Sequence, residues 1–294
     1  MIRLFRFLSH FPLCVLHALG AVTGYLTWLA SPTYRRHLRE NSALALGAQG
    51  ARRIRSAVVS HAGKSTLELP KIWLRPLDEV LSHIRHVEGA EVSDAAWRAG
   101  KGVIYLTPHL GCFEITAQYL SRRMPLTVLY RPPRQAWLQT LMETGRTRPQ
   151  MSLASADLRG VRALMKALKR NEAVGLLPDQ APKAGEGRWI DFFGKPAYTM
   201  TLAARLSESG ASIVLVWAKR LPRGQGFELR FQSPSRPICG TTEERARKIN
   251  REIEKLILQC PEQYLWGYNR YKRSRGAGQE TGDRGQGQMT EDRR

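Results

Sequence analysis

The chain has 294 residues, 43% of them hydrophobic, which is enough for one sizeable α/β domain with appendages and a real core. Forty-six Lys and Arg stand against 25 Asp and Glu, a formal net charge of +21 that calls for an acidic counterpart, either nucleic-acid phosphate or an anionic lipid surface. Four scattered cysteines (Cys14, Cys112, Cys239, Cys260) form no CxxC pair, so neither a zinc site nor a disulfide framework is indicated, and a reducing compartment fits.

Residues 7–30 contain no Asp, Glu, Lys or Arg and are long enough to cross a hydrocarbon core of about 30 Å as a helix. A signal peptide would need small residues at the last and third-last positions before cleavage; Trp28 before Ala30 fails that test, so residues 1–32 read as an uncleaved membrane anchor. His10, Pro12 and His17 make it an imperfect span, and a helix lying in the interface is the alternative. Arg3 and Arg6 precede the segment, and the larger cluster Arg35, Arg36 and Arg39 follows it, which favours a cytoplasmic position for the rest.

Residues 33–74 read as basic helix stopped by Pro70. Strand-like and helical runs then alternate. Strands are expected at Val103–Leu106, Leu126–Tyr130, Ala173–Leu177, Ile213–Trp217 and Phe227–Phe231. Helices are expected over 112–122, 135–147, 157–170, 199–209 and 241–259. This alternation predicts an α/β fold with a mixed, largely parallel sheet flanked by helices over residues 33–273. Residues 274–294 carry Gly, Gln and charge without periodicity and read as a disordered tail; their charges cancel, so the excess positive charge belongs to the body.

Thr107-Pro108-His109-Leu110-Gly111-Cys112-Phe113-Glu114 falls where the first central strand ends and a helix begins. Pro108 stops the strand and leaves His109 on the turn, with Glu114 in the first helical turn. On one regular helix five residues would separate the two side chains by about 140°, but across a turn and a helix start they can meet. A carboxylate on one imidazole nitrogen fixes the tautomer and leaves the other nitrogen as a base. The helix N-terminus adds unpaired N–H groups that suit a developing oxyanion.

His109 to Glu114 keeps company with four further blocks: Tyr130-Arg131-Pro132, Gly145-Arg146-Thr147-Arg148, Pro178-Asp179-Gln180 and Pro261-Glu262-Gln263-Tyr264-Leu265-Trp266. Each is weak alone. Together, in this order from about residue 2 to 273 and behind an N-terminal hydrophobic helix, they resemble the late acyltransferases of lipid A biosynthesis, within the lysophospholipid acyltransferase superfamily. Many members have Trp before the acidic residue, where this chain has Phe113. The resemblance implies a glycerolipid acyltransferase-like fold and transfer of a fatty acyl group from acyl carrier protein to a hydroxyl of a lipid A precursor of the Kdo-linked lipid IVA type. That reaction belongs at the bacterial inner membrane, with the catalytic domain on the cytoplasmic face. Another glycolipid or a lysophospholipid is the alternative acceptor. His109 would act as general base with Glu114 orienting it, with no acyl-enzyme, cofactor or metal called for. Arg131, Arg146 and Arg148 would bind substrate phosphates or a sugar carboxylate. Asp179 and Gln180 would line the pocket, with Asp179 bonded to Arg146 or acting as a turn cap. A monomer is expected.

Other signals carry less. Gly63-Lys64-Ser65-Thr66 lacks the earlier glycine of a phosphate loop, since position 58 is Val. There is no G-x-S-x-G. Cys112 beside Phe113 reads as packing rather than a nucleophile. The remaining histidines pair with no acid at metal-ligand spacing. Charge alone would also suit a membrane-tethered nucleic-acid binder, but no such module is recognisable and the aromatic residues do not interleave a basic stripe.

Overall fold

The computed structural model describes residues 2–133 and 135–272, so the expected tail at 274–294 lies outside the described residues. Helices α1 (Ile2–Ser9) and α2 (Leu13–Ala30) lead into α3 (Pro32–Leu67), α4 (Leu69–Leu74) and α5 (Leu77–Ser82). Alternation follows: β1 (Ile84–Glu88), α6 (Ala90–Arg98), β2 (Val103–Leu106), α7 (Phe113–Arg123), β3 (Leu126–Tyr130), α8 (Ala136–Arg146), β4 (Met151–Ser155), α9 (Leu158–Lys169) and β5 (Ala173–Leu176). A hairpin of β6 (Gly187–Phe192) and β7 (Lys195–Met200) precedes α10 (Leu202–Leu206), β8 (Ser212–Arg220), β9 (Phe227–Gln232) and α11 (Thr242–Gln259).

Seven strands form one sheet in the order β1-β9-β8-β2-β5-β3-β4, parallel at every pairing except β8 with β9. The four residues of β2 are all buried, which is why this strand reads as an unbroken apolar run: helices cover both of its faces. Ile104, Leu106, Val174 and Leu176 face the layer that holds α9, α10 and α11. Val103, Tyr105, Val214 and Val216 face the layer that holds α7.

Pro12 divides the apolar N-terminal stretch into two helices, and α2 is long and apolar enough, by length and composition, to cross a membrane. Leu13, Leu16, His17, Gly20 and Gly24 form its buried face. Val15, Leu19, Val22, Leu26 and Leu29, spaced by three and four, form an exposed one. The buried face runs antiparallel to α3, and a Cβ on Gly63 would overlap the Gly20 carbonyl oxygen, so the two backbones touch. Pro70 does not stop a helix. It sits in the first turn of α4, where its missing N–H costs nothing, and the break falls just before it at Glu68. The helix expected over 199–209 is instead the end of β7, α10 and a short 3-10 turn at Ser207–Ser209.

Candidate active site

The turn after β2 is held from two sides. Gly111 has φ +59, and a Cβ there would overlap the carbonyl oxygen of Ala218 in β8. Gly111 N donates to Gln263 O at 3.1 Å, Cys112 N to Ala218 O at 2.8 Å, and Leu265 N to His109 O at 3.2 Å. The Pro261–Trp266 block thus clasps the backbone of the His109 turn from across the fold.

His109 lies where two parallel strands end together. Leu106 pairs with Leu176, and Thr107 N donates to Leu176 O at 3.1 Å. Three residues beyond each of that pair come His109 and Asp179. One Asp179 oxygen accepts from the His109 backbone N–H at 2.9 Å, and the other lies 2.8 Å from Nδ1. Asp179 is 1% exposed. Burial pushes its carboxyl up, but the adjacent His109 side chain and the hydrogen bonds from His109 outweigh burial and hold it below its ordinary value. An ionised Asp179 accepts the proton of Nδ1, so Nε2 carries the lone pair. The Gln180 amide Nε2 lies 3.1 Å from that nitrogen and donates to it. Asp179 makes no hydrogen bond with Arg146 among the described residues; its partner is His109.

Glu114 faces elsewhere. Its carboxylate accepts from Trp73 Nε1 at 3.0 Å and from Arg146 Nε at 3.0 Å, with a second short bond from Arg146 Nη2. Among the described residues no hydrogen bond joins it to His109, so the orienting bond expected from Glu114 is made by Asp179. The physical reason is register. The first turn of α7 directs Glu114 toward α4 and α8, whereas β5 brings Asp179 alongside His109. Phe113 packs against the imidazole, ring centroids 4.8 Å apart. The Arg146 guanidinium also stacks over Trp73 at 5.7 Å, an approach that Gly145 permits, since a Cβ there would overlap the Trp73 side chain.

The remaining expected arginines lie apart from the His109–Asp179 pair. Arg148 binds the Gln118 side-chain oxygen and donates to the carbonyls of Ile72 and Arg75, each at 3.3 Å, so its fork caps the end of α4. Arg131 is exposed at the rim of a cavity of about 1090 Å³ that runs along α9, with Leu129, Val161, Met165 and Leu202 in its walls. Neither His109 nor Glu114 lines that cavity. A smaller one, about 40 Å³, is walled by Thr107, Phe113, Glu114, Val128 and Arg146. Cys112 is buried, and burial and the nearby Glu68 carboxylate push its thiol well above the usual range, which disfavours a thiolate nucleophile. Trp73 was not singled out in the sequence, and Gln263 entered only as part of the Pro261–Trp266 block. Nothing near Trp73 marks it, and the contacts of Gln263 with Gly111 and Arg220 cross the fold, so no local spacing announces them.

An imidazole oriented by a carboxylate at the carboxyl ends of a parallel sheet is the outline of an acid–base transferase. Residues 1–273 match the model of the bacterial lipid A biosynthesis acyltransferase family, and the chain belongs to that family. It is 28% identical over 272 residues to the lipid A biosynthesis lauroyltransferase of Escherichia coli K12, covering 89% of this chain and 86% of that protein. It is 28% identical over 215 residues to the palmitoleoyltransferase of the same strain, covering 71% and 68%. A lipid A biosynthesis acyltransferase of Haemophilus influenzae Rd is 26% identical over 180 residues, covering 60% and 56%. The protein is an acyltransferase of lipid A biosynthesis, and its substrate is a lipid A precursor.

Proposed function

We propose that the protein transfers a fatty acyl group from acyl carrier protein to a hydroxyl of a lipid A precursor, with His109 as general base and Asp179 as the group that orients it. The observation that carries this reading is the paired bond of Asp179 to the backbone and Nδ1 of His109, which leaves Nε2 basic. Nε2 takes the hydroxyl proton as the oxygen attacks the thioester carbonyl. The C–O bond forms, the C–S bond breaks, and the imidazolium returns the proton to the departing sulfur. Gln180 caps Nε2 at rest and yields that position to the acceptor hydroxyl. Arg146, held by Glu114, lies close enough to share a cavity with Phe113 and Thr107, and its Nη1 has no protein hydrogen bond among the described residues. It is the cation we assign to a substrate phosphate or to the oxyanion. Arg131 at the cavity rim is assigned to the same anionic substrate.

Alongside the exposed face of α2, α1 exposes Leu4 and Phe7, with Arg3 and Arg6 next to them in the chain. The opposite face is packed along α3, which carries Arg55 and Lys64. A helix flanked for much of its length by a charged partner suits the bilayer interface better than a span through it. We assign it to the inner membrane, with the catalytic domain on the cytoplasmic side, where acyl carrier protein is made.

The test is single-turnover and steady-state transfer from acyl carrier protein to the lipid acceptor, with mass spectrometry of the product. His109→Ala should lose transfer by on the order of 10³-fold or more while remaining folded and membrane-bound. Undiminished transfer by that variant would remove the imidazole from the mechanism.

A further inference from the structure

A second polar cluster lies behind the catalytic turn and takes no part in the reaction proposed above. Arg220, at the end of β8, is 2% exposed, and Glu68, between α3 and α4, is 1% exposed. Their fork is bidentate, Nε to Oε2 and Nη2 to Oε1, both at 2.7 Å. Nη2 also donates to Gly111 O at 2.6 Å, two residues beyond His109. The Arg220 backbone is bracketed by Gln263, whose Oε1 accepts from Arg220 N at 2.8 Å and whose Nε2 donates to Arg220 O at 3.0 Å. Gln263 O in turn accepts from Gly111 N. On the far side, His17 of α2, itself 5% exposed, places Nε2 3.1 Å from Glu68 Oε2. One unbroken polar path therefore runs from α2 through Glu68 and Arg220 to the backbone of the His109 turn.

A buried ion pair is weak evidence of stabilisation, because apolar residues of similar volume would often serve stability as well. What apolar residues could not do is hold a carbonyl oxygen at a fixed point. We propose that Arg220, clamped by Glu68, is a positioning residue that fixes the His109 turn through Gly111 O, and that His17 extends this hold into the membrane-facing helix, so that turnover depends on how α2 is seated. The proposal rests on His109 being the base. Lysine at 220 keeps the charge but has no fork with which to hold Glu68 bidentately and Gly111 O together.

The experiment uses the full chain in detergent micelles, with kcat, KM for both substrates and thermal unfolding measured on each variant. Arg220→Lys should lower kcat by on the order of 10- to 100-fold, the scale of a displacement of about 1 Å at a reacting group, with both KM values nearly unchanged. His17→Leu leaves the ion pair in place and removes only its link to α2. It should lower kcat several-fold, and His17→Gln, whose amide can donate to Glu68 from the same position, should recover most of the loss. Because His17 is outside the ion pair, this pair of variants stays informative even if Arg220→Lys fails to fold. A fall in unfolding temperature with kcat intact in Arg220→Lys would overturn the positioning role. Wild-type kcat in His17→Leu would overturn the link to α2. His109→Ala measured alongside separates the two readings: if it retains transfer, the assignment of the base fails, whereas if it is inactive and the other variants are unaffected, only the positioning role fails.

Discussion

At the scale of single residues, the two carboxylates of the site are bound to different partners. In the proposed mechanism Asp179 fixes the tautomer of His109, whereas Glu114 holds Arg146 and Trp73. The two variants should therefore fail differently. Asp179→Asn cannot keep an anion against Nδ1, and kcat should fall by on the order of 10³- to 10⁴-fold, as when the orienting carboxylate of a His–Asp pair is neutralised. Glu114→Gln leaves the base oriented but loosens Arg146, so the loss should be smaller and should include a rise in KM for the phosphorylated acceptor. Steady-state kinetics of both variants decide it: a larger kcat loss for Glu114→Gln would return the orienting role to Glu114. His109 was legible in the sequence because a proline-stopped strand and a helix start mark the turn. The pairing of Asp179 with His109 was not, because the adjacency of β2 and β5 depends on strand order, which local spacing does not encode.

At the scale of elements, the apolar runs gave most central strands and most expected helices to within a residue or two, β8 running three residues past its expected end, since burial on both faces leaves a run that has no other reading. β1, an edge strand with little burial, and β4, with Ser152 and Ser155, carry too weak a pattern to be seen. The N-terminal stretch left two readings open for a different reason. Its apolar residues cover both faces of α2, so composition alone does not separate a span from a helix with one face packed on protein and the other exposed. Two experiments address that division. Gly63→Leu drives a side chain into the α2 backbone and should destabilise the protein by about 1–3 kcal/mol, read by denaturant unfolding. Leu19→Asp with Leu26→Asp, on the opposite face, should leave folding intact and weaken sedimentation with vesicles containing anionic lipid. Equal sedimentation by wild type and the double variant would remove the exposed face from membrane contact.

At the scale of the whole molecule, the buried Glu68–Arg220 pair joins the N-terminal helices to the sheet and gives folding a defined acid limit. Burial pushes the Glu68 carboxyl up, but the Arg220 charge and the hydrogen bonds from His17 and Arg220 bring it from 4.5 down to about 2. A carboxyl whose value is lower in the folded state than in the unfolded one adds stability above its unfolded value and loses it as pH falls through the folded one. The contribution should therefore be complete above about pH 4.5 and decline between there and about pH 2. Glu68→Gln removes that titration and leaves Arg220 buried without a counter-charge, a loss of about 3–5 kcal/mol at neutral pH. Unfolding free energies measured from pH 7 to pH 2 should show the gap between wild type and variant to be constant down to about pH 4.5 and then closing. A gap that stays constant to pH 2 would mean that Glu68 does not titrate in that window. No sequence pattern announces this pair, because Glu68 and Arg220 are 152 positions apart and each, read locally, is a charged residue at the end of an element.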